Sequence, residues 1–211
     1  MREKTRKLTI TALLVALTFL LGLTPIGYIP IPPIAITLIC IPVIIGTITQ
    51  GLRVGLILGF VFGLTSFLQI FIRPTPLSQL IFSLSPLKTI ILVFIPRLIV
   101  PITTFFVHKA INGESRSRQH AAVGTAAFVG SITNTILFLG ALYLLFLPEA
   151  DQMAAAFGTT PELLLGVIAT IGAINGLPEA AVAVVLCIPI VYALSKLKNR
   201  NKTKIQNKTE S

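Results

Sequence analysis

The sequence predicts an all-α integral membrane protein with six transmembrane helices. Hydrophobic residues make up 54% of the chain, charged residues only 11%, and the mean hydropathy is +0.91. A soluble domain of 211 residues has no interior large enough to hide so much apolar side chain. The formal charge of +10 is concentrated at the two ends of the chain, where basic residues flank apolar segments. Such ends are topology signals, and no basic patch with interleaved aromatic residues indicates a nucleic-acid partner.

The first half of the chain contains three apolar runs. Residues 8–23 form the first predicted span, which ends at Thr24-Pro25-Ile26-Gly27. Residues 28–33 hold too many prolines for a helix and are predicted to cap the membrane face. The second span covers residues 34–50 and is expected to kink at Pro42. After a tight turn at Gly51-Leu52-Arg53, the third span covers residues 54–72.

The second half contains three more spans. Residues 77–86 are ambiguous and suggest a short re-entrant or interfacial segment, and the fourth span covers residues 87–107. A hydrophilic loop at 109–120 leads to the fifth span at 121–147, and an acidic loop follows at 148–161. The last run, residues 162–194, is too long for one upright helix. It should tilt strongly, project from the bilayer, or break at Gly176-Leu177-Pro178.

The charges of the loops predict the orientation. Both terminal tails, residues 1–7 and 195–211, are basic, as are the turn at Arg53 and the loop at 109–120. With six spans these segments lie on one side, which the positive-inside rule identifies as the cytoplasm. The proline-rich cap and the acidic loop then lie outside, and Arg73 and Lys88 are exceptions to the rule.

Small residues recur every four positions on three predicted helices. This spacing lets helix backbones approach closely in lipid, where no hydrophobic effect drives helices together. We interpret the stripes on the third and fifth spans as intramolecular packing, and the pair on the first span forms a third, weaker case. The residues are Gly51, Gly55, Gly59 and Gly63; Ala122, Ala126 and Gly130; and Ala12 and Ala16.

Arg97 lies in an otherwise apolar run, and five other polar side chains share its part of the membrane. An arginine inside hydrocarbon costs about 2.5–3.5 kcal/mol even on the lenient insertion scale, so it should face a cavity and have a partner. The partner is either Glu179, in a structural ion pair, or a small anionic ligand. Helix rise places the polar residues about 18–30 Å from the cytoplasmic end of their spans. They are Arg97, Asn134, Thr65, Gln69, Asn175 and Glu179.

This coincidence in depth across four helices favours a pocket open to the outside. Its guanidinium, amides, hydroxyl and carboxylate suit a small anion that carries hydroxyl or amide groups. Enzyme motifs are lacking: no Gly-x-Ser-x-Gly elbow, HExxH, CxxC or phosphate-binding loop occurs. The sequence therefore predicts no catalytic residue, no metal site and no ATPase activity. Cys40 and Cys187 lie in apolar runs and are interpreted as inert buried thiols.

Segments spread over nearly the whole chain carry a resemblance to a known family. They are Thr11-Ala12-Leu13-Leu14-Val15-Ala16-Leu17, Pro25-Ile26-Gly27-Tyr28-Ile29-Pro30, Thr37-Leu38-Ile39-Cys40-Ile41-Pro42-Val43-Ile44-Ile45-Gly46, Gly59-Phe60-Val61-Phe62-Gly63-Leu64-Thr65-Ser66, Pro96-Arg97 and Asn175-Gly176-Leu177-Pro178-Glu179. With these segments the chain resembles the substrate-binding S components of energy-coupling factor (ECF) vitamin transporters, in particular the pantothenate-type branch.

The resemblance implies a six-helix protein of the bacterial cell membrane that captures a vitamin outside and topples to deliver it. Its partners would be a transmembrane coupling subunit and two cytosolic ATPases, which use the ATP, so the chain itself needs no cofactor. Ala12 and Ala16 would form the docking face for the coupling subunit, with a contribution from the stripe at residues 51–63. The loop at 28–33 would be a lid over the vitamin.

The resemblance also implies roles for the polar residues. Arg97 is expected to pair with the carboxylate of pantothenate, and Asn134 to hydrogen-bond its amide or hydroxyl groups. Second-rank candidates for vitamin contacts are Thr65, Gln69, Asn175, Glu179 and Tyr28, and Phe62, Phe67 and Phe94 offer stacking surfaces.

Several alternatives remain open from the sequence. The vitamin could be riboflavin, folate or a thiamine precursor. A protein of another class, a structural or assembly membrane protein with a buried Arg97–Glu179 pair, would also account for the two charges. A channel has less support because no ring of like charges or filter repeat is visible, and two inverted halves typical of secondary transporters are not evident.

Overall fold

A computed structural model describes the backbone of residues 2–31 and 34–209, and the side chains of residues 4–25, 27 and 37–196. Within these limits the chain is helical apart from one β-hairpin and short connections. The elements are α1 (Arg2–Leu23), β1 (Tyr28–Ile31), β2 (Ile34–Thr37), α2 (Cys40–Gln50), α3 (Leu52–Ile72), α4 (Pro76–Leu84), α5 (Pro86–Ile111), α6 (Arg116–Leu145), α7 (Ala150–Ala156) and α8 (Leu164–Thr209), with single 3-10 turns at Pro25–Gly27 and Leu147–Glu149.

Five helices in the described part of the chain are long and apolar enough to cross a membrane, which confirms the prediction of a helical membrane protein at this level. Each corresponds to a predicted span, although most of them extend further than the apolar run that predicted them. The membrane-length segments are Lys4–Leu23, Leu52–Ile72, Pro86–Ile111, Arg116–Leu145 and Leu164–Lys196.

The second predicted span is wrong in its first part. Residues 34–37 form β2, which pairs antiparallel with β1 in a register that sets Tyr28 opposite Thr37. The helix begins only at Cys40. The strand residues Ile34, Ile36 and Thr37 are β-branched and favour a pleated backbone, which explains why an apolar run here does not become helix. The fold is therefore not purely α-helical.

Helix α2 lies at the centre of the bundle. Its 11 residues extend about 16 Å, too short to cross a bilayer alone. Its residues from Cys40 to Thr47 are all buried, and it contacts α1, α3, α5, α6 and α8. The predicted kink at Pro42 does not form. Pro42 lies in the first turn, where the backbone N–H has no intrahelical partner to lose.

The long helices pack around α2 in the order α1, α3, α5, α6, α8, each against the next. The glycines of α3 allow the closest approach. A Cβ at Gly59 would lie 2.5 Å from the Arg97 carbonyl oxygen of α5, and one at Gly63 would lie 2.8 Å from the Phe94 ring. On α6, Gly130 packs against Thr104. The prediction of intramolecular packing is confirmed for Gly55, Gly59 and Gly63 and for the stripe on α6, where all three residues are buried. It is wrong for Gly51, which precedes α3 and where a Cβ would meet nothing within 4 Å. The buried glycines of α3 cannot form an outer docking surface.

The end of the bundle that carries α4 and α7 has a core of its own. Residues 77–86, ambiguous in the sequence, mostly form α4, whose first turn is closed by reciprocal hydrogen bonds between Thr75 and Ser78. The acidic loop contains α7, where Met153 is buried against Phe146 and its neighbours. The Lys88 ammonium lies 2.8 Å from a carboxylate oxygen of Glu149 and 5.5 Å from the centre of the Phe146 ring.

Helix α8 is continuous from Leu164 to Thr209 and passes through both Pro178 and Pro189. The break considered at residues 176–178 does not occur. The apolar run belongs to one helix of 46 residues, which continues beyond the membrane-length segment Leu164–Lys196. Near the C-terminal end of this segment, Tyr192 packs against His120 and the Arg116 guanidinium of α6. The centres of the Tyr192 and His120 rings are 5.5 Å apart.

We predict that Gly59→Ala destabilises the bundle by about 1–3 kcal/mol, since a methyl group at this position has to push the backbone of α5 away from α3. The measurement is thermal unfolding of the purified chain in detergent. The matched control is Gly140→Ala on α6, where a Cβ meets nothing within 4 Å. This control should be as stable as the parent or slightly more stable, because alanine is the better helix former. Equal stability of the two variants would contradict the close α3–α5 packing.

Candidate functional site

The Arg97 guanidinium is buried between three helices. Its side chain is only 8% exposed. The guanidinium carbon lies 4.5 Å from the centre of the Phe138 ring of α6 and 5.3 Å from that of Phe62 of α3. Rings at this distance attract a cation through their quadrupole, and they restrict the space in which the planar group can turn. Arg97 Nη1 also donates a hydrogen bond to the Leu92 carbonyl at 3.2 Å.

Asn134 supplies a buried acceptor on α6, the helix that carries Phe138. It lies on α6 one turn before Phe138, on the same face of the helix. Its side-chain oxygen is buried and accepts no hydrogen bond from any residue that the structure describes. Buried polar atoms are nearly always hydrogen-bonded, and leaving one unsatisfied is costly. This oxygen is therefore a candidate acceptor for a bound molecule.

Glu179 of α8 joins the site to the hairpin. Its Oε1 accepts a hydrogen bond from the backbone N–H of Thr37, the last residue of β2, at 3.0 Å. The carboxylate is half-buried, and the contact that the structure describes for it is with Thr37. Glu179 therefore anchors the hairpin to α8 beside the cation, instead of forming the simple buried pair with Arg97 considered from the sequence.

Thr65 and Gln69 lie at the contact between α1 and α3. Thr65 is fully buried, donates from its hydroxyl to the Phe62 carbonyl at 2.9 Å, and packs so closely against Gly22 that a Cβ there would lie 2.5 Å from it. The Gln69 amide donates to the Gly22 carbonyl in the last turn of α1. A carbonyl in that turn has no intrahelical donor. The contacts described for both residues thus join two helices.

The two remaining candidates for ligand contacts are Asn175 and Tyr28. Asn175 is half-buried on α8, one turn before Glu179 and on the same face. Next to it, Gly176 packs against Thr135 of α6. The side chain of Tyr28 lies outside the described residues, although its backbone belongs to β1.

The three phenylalanines predicted to stack on a ligand have different surroundings. Phe62 stacks on Arg97, and Phe94 packs against Gly63 and Phe60. Phe67 belongs to a cluster with Phe71 and Phe82, at ring-centre distances of 5.4 and 6.3 Å. Phe138, which makes the closer ring contact with Arg97, was not predicted. The signal that could have found it is its position four residues after Asn134 on one helix face.

The arrangement suits the binding of a small anion. It offers a buried cation with a fixed plane, an unsatisfied acceptor on the neighbouring helix, and a hairpin tied beside them. A carboxylate matches the fork of a guanidinium, and a hydroxyl or amide N–H matches the asparagine oxygen. No group of three or more histidine, cysteine or acidic side chains in the described part of the chain could hold a metal ion.

The predicted docking pair lies elsewhere, on α1. Ala12 and Ala16 are both exposed, and Leu13 and Leu20 beside them are 68% and 50% exposed. This apolar face of α1 points away from the bundle.

Comparison with known proteins gives two results. The model of a family described as the substrate-specific component of ECF transporters matches residues 6–191. The pantothenic acid transporter PanT of Lactococcus lactis subsp. cremoris (strain MG1363) is 37% identical over an alignment of 180 residues, which covers 80% of this chain and 82% of that protein.

We predict that Glu179→Ala loosens the hairpin because the Thr37 N–H loses a charged acceptor, a bond worth about 1.5–3 kcal/mol. Hydrogen exchange at the Thr37 amide should become about 10-fold faster or more. The matched variant is Glu179→Gln, which keeps an acceptor oxygen of similar reach and should retain most of the protection. Unchanged exchange in Glu179→Ala would show that this bond does not hold the hairpin.

Proposed function

The chain belongs to the family of substrate-specific components of ECF transporters, and on this premise we propose that it binds pantothenate for uptake across the cell membrane. The observation that carries the proposal is the buried Arg97 guanidinium, stacked between Phe62 and Phe138 and close to the unsatisfied oxygen of Asn134. The name of the 37% identical relative supports the choice of vitamin.

Pantothenate matches these groups in its chemistry. It has a carboxylate at one end, hydroxyl groups at the other, and an amide between them. We assign the carboxylate to Arg97, because a planar guanidinium binds a carboxylate with two parallel hydrogen bonds. The Asn134 oxygen then accepts from the amide N–H or from a hydroxyl. In the riboflavin and folate alternatives a large ring system has to be accommodated as well, and the phenyl ring nearest to Arg97, that of Phe138, is already stacked on the guanidinium.

The hairpin is proposed as the lid of the site. β2 contacts α8, and Glu179 binds the last residue of β2 beside Arg97. We therefore assign Glu179 to lid anchoring, with Tyr28 and Asn175 as further candidates for vitamin contacts. Thr65 and Gln69 are assigned to the α1–α3 contact, since Thr65 packs against Gly22 of α1 and Gln69 donates to the Gly22 carbonyl.

The proposed topology has six crossings with both termini in the cytoplasm. Five crossings are the long helices, and the sixth is α2 continued by the hairpin. Non-helical backbone at membrane depth is tolerated where protein surrounds it. The basic residues of α1's first turns, of the α5–α6 connection and of the end of α8 support this orientation.

The partners are proposed to be a transmembrane coupling subunit and two cytosolic ATPases. The chain itself then has no ATPase activity and needs no cofactor, and the exposed face of α1 around Ala12 and Ala16 docks on the coupling subunit. Small residues on an exposed membrane helix permit close approach of a partner helix.

Titration calorimetry of the detergent-purified chain tests the ligand and its anchor together. Pantothenate should bind, and riboflavin and folate should not. Arg97→Ala should weaken pantothenate binding at least about 100-fold, because it leaves the ligand carboxylate in a low-dielectric site without its cation. Pantothenol, in which an alcohol replaces the carboxylate, should lose much less affinity in the same variant.

The matched control is Arg53→Ala, which removes an exposed arginine at the start of α3 and should bind both ligands like the parent. Binding of another vitamin in place of pantothenate would refute the substrate. Equal losses for pantothenate and pantothenol in Arg97→Ala would refute the carboxylate assignment. A folded chain that binds none of these compounds would favour the structural role of the two buried charges.

Docking is tested with Ala12→Leu/Ala16→Leu. Bulky side chains should hold a partner helix away and reduce co-purification with the coupling subunit at least about 10-fold, since overpacking costs about 1–3 kcal/mol. Pantothenate binding by the isolated variant should stay unchanged. The chain offers a matched control in Ala169→Leu/Ala173→Leu, an exposed pair with the same spacing on α8. Equal effects of the two double variants would refute the assignment to α1.

A further inference from the structure

Helix α5 contains two prolines, one of which directly precedes Arg97. In an α-helix the N–H of each residue bonds to the carbonyl four residues earlier, and proline has no N–H. Pro96 therefore cannot donate to the carbonyl of Leu92. The Leu92 side chain is fully buried, so this part of α5 is remote from solvent. A carbonyl left without a donor in such a place is costly.

The guanidinium of Arg97 donates the hydrogen bond that the Leu92 carbonyl lacks. Arg97 Nη1 donates to the Leu92 carbonyl at 3.2 Å, a bond between residues five positions apart. A helical side chain leans toward the N-terminus of its helix, which brings the guanidinium back along α5 to this carbonyl. The bond holds one nitrogen of the guanidinium, and the rings of Phe62 and Phe138 lie against the group, with their centres 5.3 and 4.5 Å from its carbon.

We infer that Pro96 is a positioning residue for the anion site: by withholding its N–H it leaves the Leu92 carbonyl to Arg97, and this bond sets the angle at which the guanidinium meets a ligand carboxylate. The inference rests on the proposed function. It makes Pro96 a determinant of carboxylate recognition without any contact between the proline and the ligand.

Pro101 has a different role in the same helix. It removes the N–H that would reach the carbonyl of Arg97 itself, and that carbonyl faces Gly59 of α3 at the closest approach of the two backbones. The ring of Pro101 also packs against Gly55 and Gly59. Pro101 thus stabilises the contact between α3 and α5, whereas Pro96 affects the hydrogen bonding of the Arg97 side chain.

The test replaces Pro96 by alanine, which restores an N–H that competes with Arg97 for the Leu92 carbonyl. Calorimetry with pantothenate and pantothenol is the readout. Pantothenate affinity should fall about 10- to 100-fold, the range expected when a hydrogen bond to a charged group is lost, and pantothenol affinity should change about 3-fold or less. Pro96→Val provides a second variant, which restores the same N–H while filling the buried volume of the proline ring.

Two controls separate positioning from a general effect on the helix. Pro189→Ala restores an N–H in α8 at an exposed site and should leave both affinities unchanged. In Pro96→Ala/Arg97→Ala, the proline substitution should add nothing to the loss caused by Arg97→Ala, because Pro96 acts through Arg97. Thermal unfolding of each variant shows whether the bundle is intact.

The outcomes distinguish this inference from the proposed function. If Arg97→Ala discriminates between pantothenate and pantothenol but Pro96→Ala and Pro96→Val do not, the positioning role is refuted and the function stands. Equal losses for the two ligands in the proline variants would also refute it, because they would indicate a structural effect. If the parent chain binds neither ligand, the proposed function itself fails. If Arg97→Ala does not discriminate between the two ligands, the assignment of the carboxylate to Arg97 fails, and the positioning role of Pro96 fails with it.

Discussion

The constraint on which this structure depends is the burial of one guanidinium inside a membrane protein. Such a charge is expensive in hydrocarbon and persists only where its surroundings compensate it. Three helices contribute here: α5 carries Arg97 and offers the Leu92 carbonyl, α3 offers the ring of Phe62, and α6 offers the ring of Phe138. A cation held in this way has a fixed plane before any ligand arrives, which reduces the ordering that binding requires.

Helix packing decides whether these groups can meet. In lipid no hydrophobic effect draws helices together, so close contact depends on small residues that let backbones touch. Gly59 brings α3 against the backbone of α5 at Arg97 itself, and Gly63 makes room for the Phe94 ring one turn further along α3. The short buried helix α2 lies at the centre and contacts all five long helices. The glycine spacing and the binding site are therefore parts of one arrangement.

The long helices, the glycine packing and the buried position of Arg97 could be predicted from the sequence. Long apolar runs, small residues at four-residue spacing and an isolated charge are the patterns that indicate them. The sequence was insufficient for the hairpin, since hydropathy does not distinguish strand from helix in a run such as Ile34-Ala35-Ile36-Thr37. The depth of a residue in the membrane also does not tell toward which neighbouring helix its side chain points. Thr65 therefore shared the predicted depth of Arg97 but faces α1, and Phe138 faces Arg97 although nothing in its residue type marks it.

Charge balance links the lid to the site. A ligand carboxylate at Arg97 brings a second negative charge into the neighbourhood of Glu179, and both anions would compete for one cation. The Thr37 N–H removes this competition, because it gives Glu179 a hydrogen bond of its own when β2 lies against α8. On the proposed assignment, a closed hairpin thus lets Arg97 bind the ligand carboxylate while Glu179 keeps a partner of its own. Thermodynamic linkage requires the converse: a carboxylate that occupies Arg97 makes Glu179 more dependent on Thr37, and so favours the closed hairpin by the same free energy.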